Sequence, residues 1–246
     1  MNFKTLFIAL VLSLPLLGQD ATAIVEQAED KLRGEQSTSE VSMTIIRPNW
    51  ERTIRMKSWS RGNAYSLILI TSPARDQGTV YLKKQKEIYN WIPSIERNVK
   101  LPPSMMMQSW MGSDFTNDDL VRESSIVKDY THKTLGEVEI DGRMCWQIEL
   151  LPKPDAAVVW GKIILHIDQA EYIHLRSEFY DEDGDLVNIM QGKKIEEIGG
   201  RTLATITIMK PVNEPGKMTI LEYHKLDFNS TVPREYFTTQ YMKRVR

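Results

Sequence analysis

The stretch MGSDFTNDDL, residues 111–120, concentrates three aspartates with a serine and a threonine. Carboxylates grouped in this way can bind a metal ion or carry protons in catalysis. The order from Thr116 to Asp119 also matches the capping box, in which a threonine and an acid three residues later hold the first turn of a helix. Because no histidine, lysine or nucleophile lies nearby in sequence to partner a catalytic carboxylate, we interpret the group as structural.

This interpretation assigns no catalytic and no metal-binding residue to the stretch. We expect Thr116 to cap a helix over residues 117–124, with Asp118 and Asp119 in its first turn, where the helix dipole favours negative charge. Asp114 is expected to cap locally or to accept backbone N–H groups at the bend. The residues of this structural motif are Ser113, Asp114, Thr116, Asp118 and Asp119.

Other stretches are weaker candidates for a catalytic or metal-binding site. Residues 181–186, DEDGDL, resemble a calcium loop but lack its twelve-residue spacing and closing glutamate, so a glycine-containing hairpin turn is favoured. His166 and His174 are too few for a metal site without a third ligand, and we expect an exposed pair across a hairpin. The sequence contains no HExxH, GxSxG, P-loop or GxGxxG motif, so we predict no enzyme and no cofactor.

A methionine-rich segment precedes the aspartates. Pro102 and Pro103 break the strand pattern before it, and four methionines and a tryptophan follow between Met105 and Met111. Methionine side chains are flexible and polarisable, so this segment could form an adaptable surface over an apolar ligand. It could equally plug the core, and the sequence leaves both alternatives open.

Composition and charge limit the function classes. The chain has 246 residues, enough for one large domain, and its net charge of −2 comes from interspersed acids and bases. This excludes the basic surface that nucleic-acid binding requires. Cys145 is the single cysteine, so the fold needs no internal disulfide, and its position in an alternating apolar run predicts a buried or half-buried side chain.

The N-terminus has the pattern of a secretory signal peptide. Lys4 precedes the apolar run Leu6–Leu17, which is too short to span a bilayer, and no later stretch is long and apolar enough to do so. We predict a signal peptide over residues 1–23 and one domain over 24–246. Cleavage after residue 19 is an alternative, because Asp20 could cap the helix that follows. With no cysteine at either cut to carry a lipid, we expect a soluble periplasmic protein.

The remaining chain predicts one helix followed by a sheet. Ile24, Ala28 and Leu32 share a helical face, and Gly34 ends that helix. About ten alternating strands with short turns follow, and in one hairpin Leu165, Leu175 and Phe179 are expected on the same face. The prediction is an α+β, mainly antiparallel β fold: a single large curved sheet, an open half-barrel, with helices covering the concave face.

A sheet curved around helices leaves a cavity suited to apolar ligands. Strand alternation and the methionine-rich segment predict its lining. Leu67 and Leu69 belong to a strand that is apolar on both faces, so alternation places them least well. The candidate ligand-binding residues are Ile54, Met56, Leu67, Leu69, Met106, Trp110, Met111, Trp146, Ile148, Ile163 and Leu165.

Residues 90–120, NWIPSIERNVKLPPSMMMQSWMGSDFTNDDL, resemble the central signature of the outer-membrane lipoprotein-sorting, LolA-like family. Further similar stretches are RTIRMKSWSRG, SPARDQGTVYLKK, YDEDGDLV and PREYFTTQYMKR, so the resemblance covers nearly the whole predicted mature chain. It implies an open antiparallel half-barrel with helices over its mouth, a non-enzymatic role, and a lipid or lipoprotein acyl chain as ligand. It carries over no catalytic residue.

We therefore expect a periplasmic carrier for lipoprotein acyl chains or other lipids, acting in outer-membrane lipoprotein sorting or lipid trafficking. Such a carrier could work with an inner-membrane transporter as partner. Two alternatives share the fold: an envelope-stress regulatory binding protein, and a hydrophobe-handing partner of an efflux-type transporter. A hydrolase built on the aspartates is a third, from a different class.

Overall fold

A computed structural model describes residues 20–85, 87–119 and 126–245. Within these ranges the chain forms the helix α1 (Ala21–Arg33) and thirteen strands in one antiparallel sheet. The strands are β1 (Gln36–Arg47), β2 (Trp50–Arg61), β3 (Tyr65–Ser72), β4 (Val80–Lys84), β5 (Glu87–Ile92), β6 (Arg97–Lys100), β7 (Tyr130–Ile140), β8 (Arg143–Pro152), β9 (Lys162–Asp168), β10 (His174–Tyr180), β11 (Leu186–Ile198), β12 (Arg201–Pro211) and β13 (Met218–Asp227).

The sheet is open rather than closed into a barrel. Its strand order is β6-β5-β4-β3-β2-β1-β13-β12-β11-β10-β9-β8-β7, so the first and last strands pair in the middle. The edges are β6 and β7, and the chain between them, residues 101–129, joins one edge to the other. This architecture is the mainly antiparallel half-barrel that the sequence predicts.

Helix α1 covers part of the concave face and contacts β7 and β9. The Asp20 carboxylate accepts the Thr22 N–H at 3.2 Å, and the helix ends at Gly34, whose φ of +64° suits glycine. Ile24 and Ala28 are buried as the helical pattern predicts. Leu32 is half-buried, because it lies over a cavity.

The two faces of the sheet bury separate clusters. The concave face carries the larger one, whereas the C-terminal segment, residues 228–245, packs on the convex side of β3 to β5. The expectation that Leu67 and Leu69 face the concave side is wrong. Both contact the cluster of the C-terminal segment, while Ile68 and Ile70 face inward. Strand β3 is apolar on both faces because both faces are covered.

The hairpin of β9 and β10 departs from simple alternation. A register shift lies between His174 and Arg176. Leu165 and Phe179 remain in the concave cluster, but Leu175 packs with Cys145 on the other face, contrary to the prediction. A bulge adds one residue to a strand and so exchanges the faces of the residues on one side of it.

Two predicted elements fall on residues that are not described. Most of the expected signal peptide, residues 1–19, lies outside the described ranges, as does the larger part of the expected helix at 117–124. Residues 117–119 are helical. Across the part of the chain that is described, no helix is long and apolar enough to cross a membrane.

Candidate functional site

A cavity of about 220 Å³ lies between α1 and the half of the sheet formed by β9 to β13. We call it the first chamber. Ala28 and Leu32 of α1 face it from above, and Trp160 forms part of a wall. An apolar cavity of about 150 Å³ already takes up a molecule the size of benzene. Its apolar floor consists of Ile163, Leu165, Phe179, Met190, Leu203 and Met209.

A second cavity of about 140 Å³ lies against β1 to β4, on the other side of the C-terminal end of α1. We call it the second chamber. Leu32 and Arg33 of α1 and Leu221 and Tyr223 of β13 line both chambers, so the two meet there. The second chamber has five serines among its lining residues, against one in the first, and it also contacts Lys83.

The structure brings together only part of the predicted ligand-binding set. Ile163 and Leu165 line the first chamber, and Met56 and Trp110 line the second. The other inward-facing candidates pack in the concave cluster, three of them buried and two half-buried: Ile54, Met106, Ile148, Met111 and Trp146.

The methionine-rich segment mostly fills the concave cluster. Trp110 is fully buried with its ring centroid 5.2 Å from that of Tyr81, and Met106 is buried beside it. Met107 alone among the segment's described methionines is largely exposed, at 69%. The segment therefore acts mainly as part of the core at one end of the concave face of the sheet.

The threonine and aspartate at the end of this segment form both hydrogen bonds of a capping box. The Thr116 N–H donates to Asp119 Oδ2 at 2.8 Å, and the Asp119 N–H donates to Thr116 Oγ1 at 3.1 Å. Trp160 Nε1 donates to Asp119 Oδ1 at 3.0 Å. Burial raises the pKa of Asp119, and the hydrogen bonds from Trp160 and Thr116 oppose that rise. This geometry explains the pair without any chemistry.

Asp114 has a different partner from the one expected. Instead of accepting backbone N–H groups at the bend, its carboxylate accepts Arg47 Nη1 at 3.0 Å and the Thr219 hydroxyl at 2.6 Å. The side chains of Arg47 and Asp114 are only 12% and 5% exposed. A carboxylate that leaves water is stable when a charged partner replaces the solvent. The pair therefore anchors the segment to β1 and β13.

Two other residues of the motif are buried against the same segment. The Ser113 N–H donates to the Trp110 carbonyl at 3.0 Å, and the Asp118 N–H donates to the Met106 carbonyl at 3.1 Å. Asp118 also lines the first chamber. Together these contacts hold the segment in a bend across the concave face of the sheet.

A charged group at the junction of the chambers is absent from the sequence prediction. Arg33 Nε donates to Glu29 Oε2 at 2.8 Å, and His174 Nε2 lies 3.5 Å from Glu29 Oε1. Burial alone would raise the pKa of Glu29, but Arg33 and His174 hold it below its usual range. Burial lowers the pKa of His174 against the opposing effect of Glu29.

The expectation of an exposed histidine pair is wrong. His166 is buried and paired in register with Arg176, while the bulge in β10 turns His174 toward α1. A bulge leaves little trace in an alternating pattern. The spacing of four residues between Glu29 and Arg33 on one helix is the signal that could have identified the junction.

The fold is the LolA-like fold. A DUF1329 family protein from Desulfovibrio piger has 24% identity and a TM-score of 0.80 over 91% of this chain and 99% of its own. A putative outer membrane lipoprotein-sorting protein domain from Vibrio parahaemolyticus has 21% identity and a TM-score of 0.81 over 91% and 98%. A LolA superfamily protein from Nitrosomonas europaea has 24% identity and a TM-score of 0.79 over 91% and 99%.

A protein-family model described as "Uncharacterized protein" matches residues 62–244, well over half of the chain. The chain belongs to that family. No curated protein matches the sequence.

Proposed function

We propose that this protein is a periplasmic carrier that binds the acyl chain of a lipid or lipoprotein and acts in outer-membrane lipoprotein sorting or lipid trafficking. The observation that carries the proposal is the first chamber, an apolar cavity between α1 and the sheet. The LolA-like fold supports it, because one structure of the same fold is described as a lipoprotein-sorting domain. Its partners would be a lipid or lipoprotein and, at the inner membrane, a transporter.

The free energy of burying an acyl chain favours an open half-barrel over a closed barrel as a carrier. Burying one CH₂ group is worth about 0.8 kcal/mol, so a chain of sixteen carbons is worth roughly 12 kcal/mol when fully buried. A protein that buried the whole chain could not release it into water on a useful timescale. A carrier therefore needs incomplete burial and direct transfer to a membrane or partner, which a sheet that is not closed between its edges β6 and β7 would allow.

The test compares two identical substitutions on the same helix. Ala28→Leu adds a side chain to the lining of the first chamber, whereas Ala23→Leu adds it at an exposed position of α1. In calorimetry with palmitate, we expect wild-type protein starting at Asp20 to bind with micromolar or tighter affinity. Ala28→Leu should weaken binding at least about tenfold, or about 1.4 kcal/mol, and Ala23→Leu should not.

Failure of the wild-type protein to bind palmitate or a diacylated lipopeptide would make a regulatory role toward a protein partner the better reading. The natural cargo is a separate question. Mass spectrometry of lipids extracted from protein purified from its native periplasm would identify it.

We also propose that the signal peptide is cleaved after residue 19. A cut after Ala23 would remove the Asp20 cap and the buried Ala21, whereas a cut after residue 19 leaves α1 whole. The intact mass of the secreted protein distinguishes the two cuts, and an uncleaved or lipid-modified N-terminus would contradict the proposed location.

A further inference from the structure

Tyr223 of β13 lies where the two chambers meet. It lines both of them, together with Leu32, Arg33 and Leu221. The side chain is on the concave face of the sheet, where it is half-buried and packs against the larger cluster. Because Tyr223 belongs to the lining of both cavities, the part of its side chain that remains exposed faces the chambers.

The hydroxyl of Tyr223 has no hydrogen-bond partner among the described residues. Two tyrosines elsewhere in the sheet show the usual arrangement. The Tyr130 hydroxyl, in the same concave cluster, donates to the Trp160 carbonyl at 3.3 Å, and the Tyr180 hydroxyl donates to Glu178 at 2.8 Å. A tyrosine hydroxyl removed from bulk water normally has such a partner, because leaving it unpaired costs stability. Tyr223 is therefore placed for a partner that the described fold does not supply.

The charged groups beside Tyr223 are engaged with one another. Glu29 Oε2 accepts Arg33 Nε at 2.8 Å, and His174 Nε2 lies 3.5 Å from Glu29 Oε1. Burial raises the pKa of Tyr223, Glu29 acts in the same direction, and Arg33 opposes the rise. The phenol therefore stays protonated at neutral pH, and its O–H can donate a hydrogen bond to a ligand.

We propose that Tyr223 donates a hydrogen bond to the carbonyl oxygen of an ester that joins an acyl chain in the first chamber to an alcohol portion beyond the junction. The proposal rests on the proposed carrier function and adds the class of ligand, an acyl ester. In a pocket with a mainly apolar lining, a few polar groups fix the orientation of the ligand. The floor of the first chamber is mainly apolar, so Tyr223 marks the point where the hydrocarbon chain ends and the ester begins.

An ester suits this position better than an amide. Both oxygens of an ester are acceptors, so a single hydroxyl donor matches the group. An amide would bring an N–H that needs an acceptor of its own, and a polar group that enters an apolar cavity without a partner weakens binding.

The test uses two ligands that differ in one carbonyl oxygen. Monododecanoylglycerol is an ester, and dodecylglycerol is the ether with the same chain length and head group. A neutral hydrogen bond contributes about fivefold in affinity, or about 1 kcal/mol. In calorimetry below the micelle concentration, we therefore expect the wild-type protein to bind the ester at least about fivefold more tightly than the ether. The corresponding amide should bind less tightly than the ester.

Two substitutions of tyrosine by phenylalanine provide the variant and its control. Tyr223→Phe keeps the ring and removes the hydroxyl, so it should lose the preference for the ester and keep the wild-type affinity for the ether. Tyr180 is not among the described lining residues of either chamber, so Tyr180→Phe should retain the preference. Because no described hydrogen bond is lost, Tyr223→Phe should leave the free energy of unfolding of the ligand-free protein unchanged in urea denaturation.

The outcomes separate this inference from the carrier function. Equal affinity of the wild-type protein for the ester and the ether would overturn the ester site and leave the carrier function standing. Binding of neither ligand, nor of palmitate, would overturn both. A preference that survives Tyr223→Phe would overturn the role of the hydroxyl, and an amide that binds more tightly than the ester would overturn the assignment to an ester.

Discussion

At the scale of single residues, the aspartates of residues 111–120 illustrate how one residue type takes several roles. Asp119 completes the capping box with Thr116 and accepts a hydrogen bond from Trp160 Nε1. Asp114 accepts hydrogen bonds from Arg47 and Thr219. In each case a carboxylate removed from water is matched by donors. The cluster thus stabilises a bend in the chain.

Loss of the cap should destabilise the protein modestly. Thr116→Ala removes the hydroxyl that accepts the Asp119 N–H, and we expect the free energy of unfolding to fall by about 1 kcal/mol. Urea denaturation followed by circular dichroism measures this. Thr134→Ala, at an exposed position of β7, is the matched control and should change stability little. Metal bound by Asp114, Asp118 or Asp119 and lost in variants of these residues would contradict the capping interpretation.

The ion pair of Arg47 and Asp114 should contribute more to the free energy of unfolding than the cap at Thr116. Asp114→Asn leaves Arg47 buried without its charged partner, so we expect a loss of about 3 kcal/mol, with palmitate affinity of the folded protein unchanged. In a double-mutant cycle with Arg47→Met, the two losses should overlap by about 1–3 kcal/mol. Strict additivity would mean that the two side chains do not stabilise one another.

At the scale of elements, the alternation of apolar and polar residues identifies most strands, because most have one buried face and one more exposed face. The sequence predicts about ten strands joined by short turns, and the described residues form thirteen. Edge strands such as β7 are the hardest to predict, since an edge strand carries many polar residues and has only one paired side.

The faces of the strands are harder to predict than the strands. Leu67 and Leu69 face the C-terminal segment because a second cluster covers the convex side of β3, which its own sequence cannot reveal. The bulge in β10 moves Leu175 away from the cavity and His174 toward it. Of the predicted lining, Ile163 and Leu165 line the first chamber, whereas the junction at Glu29 depends on contacts between distant elements.

We expect the folded protein to be less stable in mild acid, because of the half-buried histidine beside helix α1. Burial lowers the folded-state pKa of His174, whose unfolded value is about 6.5, so the unfolded chain binds more protons as the pH falls below that value. Glu29 and Arg33 are the charged groups that act on its pKa besides burial. The free energy of unfolding should therefore decrease from pH 7 to pH 5, and His174→Gln should reduce that decrease.

Thermal unfolding across this pH range measures the effect. His224→Gln, at an exposed position of β13, is the control and should retain the wild-type pH dependence. Glu29 acts in a lower range: its pKa is held below the usual value, so the stability it contributes is present above about pH 4.5 and is lost as the pH falls through its folded-state pKa. An unchanged slope in His174→Gln would exclude the histidine as the source.

At the scale of the whole molecule, two tryptophans report on the two chambers. Trp160 lines the first chamber and Trp110 the second, so an acyl chain that fills the first and extends past the junction should change the fluorescence of both. We expect Trp110→Phe and Trp160→Phe each to remove part of the change that palmitate causes. Trp50→Phe, at a site that is 50% exposed, should leave the change intact. A signal that survives loss of both Trp110 and Trp160 would place the ligand elsewhere.

The pairing of β1 with β13 has a consequence for the time course of folding. Each half of the sheet is a series of neighbouring strands, and such local hairpins can form within microseconds. The contact between Thr38 and Asp227, in contrast, joins positions almost a chain length apart. Closing so long a loop carries the largest entropic barrier in the sheet. A chain that emerges N-terminus first would thus hold β1 as a sheet edge without its β13 partner until the last strand arrived, a period in which chaperones and proteases could bind it.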